Sequence, residues 1–220
     1  MGGFLKSSIA RKFAMALSGL FLVFFLLQHF TINFTSVFGP GLFNQWSHFM
    51  GTNFFVQFLL QPILILGVVF HFIMGFVLEY NNRQARPVKY KKFNGSANTT
   101  WMSRNMIWTG LVVLAFLGLH FYDFWFPEIA HKYMEVNPED PSRYYPELVA
   151  KFQDPWRVIL YVISFVFLSL HLLHGFSSSF QSVGWHSKNK EGIRKSTVAF
   201  SIIIPLGFVF IALFHYINNV

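Results

Sequence analysis

Nine histidines and no cysteine stand in this chain, and four of the histidines, His29, His71, His120 and His171, recur in four successive uncharged stretches. Each lies about 15–16 residues, or roughly 24 Å of helix, past the expected start of its stretch. Successive helices cross in opposite directions. His29 therefore shares a depth with His120, and His71 shares one with His171, the two levels being about 18 Å apart. Two neutral imidazoles from facing helices, in an apolar interior without cysteine or carboxylate, suit a b-type haem whose axial positions both go to histidine. Zinc or copper wants more ligands. A six-coordinate iron leaves no open position, so such sites carry electrons and perform no chemistry on a bound molecule. The lack of cysteine excludes a disulfide framework, an iron–sulfur site, a cysteine zinc site and a thioether-attached haem.

Gly75 and Gly175 each follow a histidine, His71 and His171, by four residues, on the same helix face, where a missing side chain gives a flat macrocycle room. That shared HxxxG spacing pairs the two. His174, three residues after His171, is the alternative ligand, or a propionate or quinone partner. His48, in the first outer connection, is a candidate quinone contact at the membrane surface. His215, His131 and His186 default to structural or solvated roles.

The elements that must position these side chains follow from composition. The 220 residues are 54% hydrophobic and 20% aromatic, with 30 Phe, and only 12% are charged, against about 25% in a soluble domain. The net charge of +8 on this background reads as membrane topology, with no role in nucleic-acid binding. No charged residue occurs from residue 13 to 78, a run of 66 that holds two spans. The sequence predicts an all-α membrane protein. Its single domain, 1–220, has five transmembrane helices near 13–36, 54–78, 104–125, 156–180 and 197–217, with an ordered outer loop near 126–155. The first apolar run is too long for a signal peptide and is read as helix 1. Pro62 and Pro205 are tolerable inside spans because neighbouring helices can satisfy the freed carbonyls, and Trp46, Trp101, Trp125, Trp156 and Trp185 suit an interfacial belt.

Residues 1–12, 80–104 and 181–196 hold 13 of the 17 Lys and Arg, which predicts a cytoplasmic N-terminus. Arg11, Lys12, Arg104 and Lys188 lie at that interface, where propionates of an inner haem would emerge. Ser18 and Thr109 are further candidate donors to the same groups.

The chain resembles a known family in several stretches: Phe25-Leu26-Leu27-Gln28-His29, Phe43-Asn44 with His48-Phe49-Met50, His71 with Gly75, Leu119-His120, and His171 with Gly175 followed by Gly184-Trp185. It is similar to the single-chain, five-helix dihaem cytochrome b anchor of succinate:quinone oxidoreductases and fumarate reductases. The resemblance implies haem iron held by His29 with His120 and by His71 with His171. It also implies a flavoprotein subunit that interconverts succinate and fumarate and an iron–sulfur subunit that docks on the cytoplasmic face. Electrons would pass between these and a membrane quinone, expected to be menaquinone, in a bacterial inner membrane. Where some relatives carry a transmembrane glutamate two residues before the fourth-helix histidine, this chain has Ser169. Two other readings are the cytochrome b anchor of a different respiratory dehydrogenase, such as a hydrogenase or formate dehydrogenase, and a non-redox transporter whose histidines relay protons.

Overall fold

The structure, a computed structural model, describes residues 7–84, 101–136, 138–185 and 190–218. His186 and Lys188 fall outside the described residues. Five helical spans are long and apolar enough to cross a membrane: Ser8–Phe38, Val56–Gln84, Met106–Met134, Pro155–Ser182 and Lys190–Asn218, here spans 1 to 5. At 28 to 31 residues each exceeds the ~20 needed for the hydrocarbon core and reaches through the headgroup layer. This is why the spans run past the charge-free stretches: Arg11 and Lys12 sit in the first turns of span 1, where long cationic side chains can extend to the interface. Trp101, Trp156 and Trp185 are exposed near span ends, as a belt requires, and Trp46 is exposed on the helix of the first connection.

Span 3 departs most from expectation, continuing nine residues beyond 125 to Met134. Its charged residues, Asp123 near the expected end of the helix and Glu128 and Lys132 in the expected outer loop, lie within the span and are paired. Asp123 meets Arg157, and Glu128 meets both Lys132 and Arg143. Two π-helical turns, Phe121–Trp125 and Ala130–Met134, flank the short α segment that begins at Phe126 and contains Pro127. A wider turn accommodates a proline that cannot donate to the ladder. Pro62 is treated the same way, following the π turn Val56–Leu60.

Two further helices cap the end of the molecule remote from residue 8. The Pro40–Thr52 helix fills the first connection, which the sequence marked only as a break. The Tyr144–Phe152 helix closes the third and turns Leu148 and Phe152 inward. They join Phe43, Val158, Tyr161, Phe165, Ile204, Phe208 and Ile211 in the buried cluster of that end. Span 4 is the hub, packing on spans 1, 3 and 5. Gly207 of span 5 receives the Phe30 ring of span 1, with which a methyl group would collide.

Pro205 leaves the Ser201 carbonyl, four residues earlier, without its helical donor. The Ser169 hydroxyl of span 4 donates to it at 2.7 Å, so a neighbouring span does supply the missing bond. Ser169 is thereby committed to a backbone acceptor. The variant S169A is expected to lose about 1–3 kcal/mol, the cost of stranding a buried acceptor, read as a lower melting temperature in detergent.

Candidate functional site

The four span histidines come together as two ring pairs at two depths. The His29 and His120 rings lie 5.6 Å apart between centroids, at an interplanar angle of 86°. The His71 and His171 rings lie 6.4 Å apart at 70°. It is His171, rather than His174, whose ring faces His71.

Two imidazoles that share one metal ion have ring centres about 6 Å apart, since each bond is about 2 Å and each centre lies about 1 Å behind its nitrogen. Among the described residues no group of three or more His, Asp or Glu is placed to hold one ion. A bare ion with a full set of protein ligands is therefore not what these pairs offer. Each offers two neutral nitrogen donors and leaves the remaining coordination positions to another molecule.

The two pairs differ in their surroundings. The pair at the far end sits among aromatic rings: Phe25 stacks on His29 at 5.5 Å, Phe208 lies 5.8 Å from it, and Phe116 and Phe124 lie 5.9 and 5.3 Å from His120. The Asn33 side chain donates to the His29 carbonyl at 2.8 Å and lies 3.4 Å from both ring nitrogens. Nδ1 of His120 is buried and has no partner among the described residues. An orphaned imidazole nitrogen in an aromatic cage fits a ring that completes its bonding to something else.

The pair nearer the N-terminus is held by hydroxyls. Ser18 of span 1 lies 3.0 Å from Nδ1 of His71, and Thr109 of span 3 lies 3.3 Å from Nδ1 of His171. Both residues, expected as propionate donors, thus have imidazole partners here. A Cβ built on Gly19 would sit 3.5 Å from Cε1 of His71, and one on Gly110 the same distance from Cε1 of His171. These two glycines face the rings. Gly75 and Gly175, which the HxxxG spacing singled out, instead receive the methyl tips of Met15 and Met106, at 3.7 and 3.0 Å.

Sequence reasoning passed over Gly19 and Gly110, although a signal was present. Met15-Ala16-Leu17-Ser18-Gly19-Leu20 and Met106-Ile107-Trp108-Thr109-Gly110-Leu111 are one pattern, each reaching a histidine, His29 or His120, eleven residues after its hydroxyl. Eleven residues of helix are about 16 Å, a little under the roughly 18 Å expected from the sequence between the two levels.

A buried ionic group adjoins the far-end pair. Asp123, one turn beyond His120, has no side-chain exposure; it pairs with Arg157 of span 4 and accepts a 2.9 Å hydrogen bond from the Tyr161 hydroxyl. The sequence had offered only an uncharged interior for these spans. At the far-end surface His48 lies 3.8 Å from Glu139, and Lys132 donates to the Gly51 carbonyl. Arg143 stacks over Tyr144 at 4.5 Å while bonding Glu147 at 2.8 Å. Burial raises the Tyr144 phenol above its usual range, whereas hydrogen bonds from Ser142 hold the Asp140 carboxyl below its own. His131 borders the same small cavity as His48, and His215 is fully buried, 2.9 Å from Ser36. At the opposite end, Nε of Arg11 is buried without a partner among the described residues, and Arg104 closes the short turn Trp101–Arg104.

Residues 82–212 match the family of succinate dehydrogenase/fumarate reductase transmembrane subunits. The matched segment holds spans 3 and 4 and most of span 5, with His120 and His171; His29 and His71 precede it. Among curated proteins and solved structures the chain has no match. With more than half of its residues matched, and with five apolar spans around the paired histidines, this chain belongs to the family of transmembrane subunits of succinate dehydrogenase and fumarate reductase.

Proposed function

We propose that this membrane subunit carries electrons between the soluble subunits of a succinate:quinone oxidoreductase and a membrane quinone, through two b haems held by His29 with His120 and by His71 with His171. The observation that carries the reading is the meeting of four imidazoles from four spans in two pairs, with ring centres 5.6 and 6.4 Å apart. When bound, a bis-histidine haem supplies a one-electron carrier with no open coordination position. The chain's own residues hold the imidazoles neutral, exclude water through Phe25, Phe116, Phe124 and Phe208, and set the two levels about 16–18 Å apart.

In this reading the basic N-terminal end faces the cytoplasm of a bacterium and receives the iron–sulfur and flavoprotein subunits. The buried Arg11 Nε, without a partner among the described residues, supports an anionic group at this basic end, as propionates would be. His174 serves the same end as a propionate partner. For the quinone, expected to be menaquinone, the reading favours the far end. His48 borders the polar surface there, and a cleft of about 340 Å³ lies between span 1 and the Pro40–Thr52 helix, lined by Gln28, Thr31, Ile32, Thr35, Trp46 and Met50. The direction of flux depends on potentials set by burial and hydrogen bonding around each site.

The test is the dithionite-reduced minus oxidised visible spectrum of the purified complex, with haem counted per copy of this chain. Two low-spin b haems are expected. A well-folded preparation whose difference spectrum shows no b-haem bands would remove the electron-transfer reading and leave that of a transporter with proton-relaying histidines.

A further inference from the structure

Resting on the haem reading above, we infer that Ser18 and Thr109 are positioning residues that fix the tautomer of His71 and His171. Each holds Nδ1 as a hydrogen-bond donor and leaves the Nε2 lone pair to bind iron.

A hydroxyl has a single hydrogen to give. Ser18 lies 2.8 Å from the Met15 carbonyl and Thr109 lies 3.0 Å from the Met106 carbonyl, and a carbonyl can only accept. Both hydroxyl hydrogens are spent there, so each oxygen turns a lone pair to the imidazole. Nδ1 must then carry the ring's proton. Gly19 and Gly110, next in the chain, let the Cε1–Nδ1 edge of each ring come up against the neighbouring span. The same bracket is built twice, from one sequence pattern, Met-x-x-Ser/Thr-Gly-Leu, on spans 1 and 3.

The far-end pair has no such bracket. Asn33 presents a donor nitrogen to His29, and Nδ1 of His120 has no partner among the described residues. An acceptor on Nδ1–H makes an imidazole a more basic ligand, which favours ferric over ferrous iron. The hydroxyls should therefore lower the potential of one haem and leave the other alone.

Potentiometric titration of the purified complex, followed in the haem bands, tests this with S18A, T109V and the conservative S18T and T109S. Expected in S18A and in T109V is an upward shift of one midpoint, corresponding to a three- to tenfold change in the ferric-to-ferrous ratio at fixed potential, or about 30–59 mV for one electron. The second midpoint stays put, two haems remain, and S18T and T109S restore the wild-type value. Should S18A lose one haem, its return in S18T supports the bracket, and its loss in S18T as well overturns it. Unchanged midpoints with two haems retained, or equal shifts of both, also overturn it. A wild-type complex without b haem defeats the haem reading itself, an outcome distinct from an unmoved midpoint in a haem-bearing variant.

Discussion

Replacing His171 with alanine should remove one of two b haems and leave the other with its spectrum and midpoint potential intact, and H71A should remove the same one. H29A and H120A should each remove its counterpart. The expectation follows from the pairing of rings across spans 2 and 4 and across spans 1 and 3. An iron that loses one of two imidazoles keeps a single protein bond, and no other described histidine ring is paired with the survivor. His174 is the discriminating control, since it lies one turn along the same face of span 4. H174A should retain both haems. The opposite result, both haems kept in H171A and one lost in H174A, would reassign the fourth ligand without disturbing the function. Haem counted per chain reads this directly, and the surviving haem's bands report that the rest of the protein has folded.

The second large effect is expected at the Asp123, Arg157 and Tyr161 group. Asp123 is wholly buried, while the Arg157 side chain is 23% exposed, so the two partners are unequal when left alone. R157M strands a carboxylate in the apolar interior and should cost about 3–5 kcal/mol. D123N leaves a guanidinium that can extend toward the interface, and should cost less. Y161F removes one donor and should cost about 1–3 kcal/mol. The double variant D123N/R157M should cost less than the sum of the single changes, because the charge stranded by each is removed by the other. Thermal unfolding in detergent, with haem retention followed in parallel, measures all four. Equal losses in R157M and D123N would overturn the asymmetry, and a double variant that costs the full sum would show that the two charges are not coupled. Because Phe116 touches both Tyr161 and His120, at 5.1 and 5.9 Å, R157M should also loosen the haem of the His29–His120 pair before the other.

Much of this was legible from the chain alone. Sixty-six residues without a charge cannot be placed in water or in one helix, so two spans were unavoidable. Four histidines repeating at one depth in antiparallel helices must fall into two levels, whatever the helices' detailed packing. What lay beyond the sequence were properties of neighbours. Span 3 runs on to Met134 because Arg157 and Arg143, from other elements, neutralise Asp123 and Glu128. A charge count along one helix cannot see a partner on another. Ser169 looks like an empty place for a proton-carrying group, yet it serves the carbonyl that Pro205 frees on span 5.

The glycines show the same division. Spacing within one helix identified Gly75 and Gly175 as sharing a face with His71 and His171, which is true, but Met15 and Met106 fill that space from neighbouring spans. Gly19 and Gly110 meet the rings because helix packing sets spans 1 and 3 against them, and no intrahelical period encodes that register. The sequence by itself determined the number of spans, the depth of each imidazole and, through charge-free length, an interior able to keep them neutral. Only the tertiary structure decided which side chains press on each ring, because hydrogen-bond partners and clearances of a few ångströms arise between helices far apart in the chain.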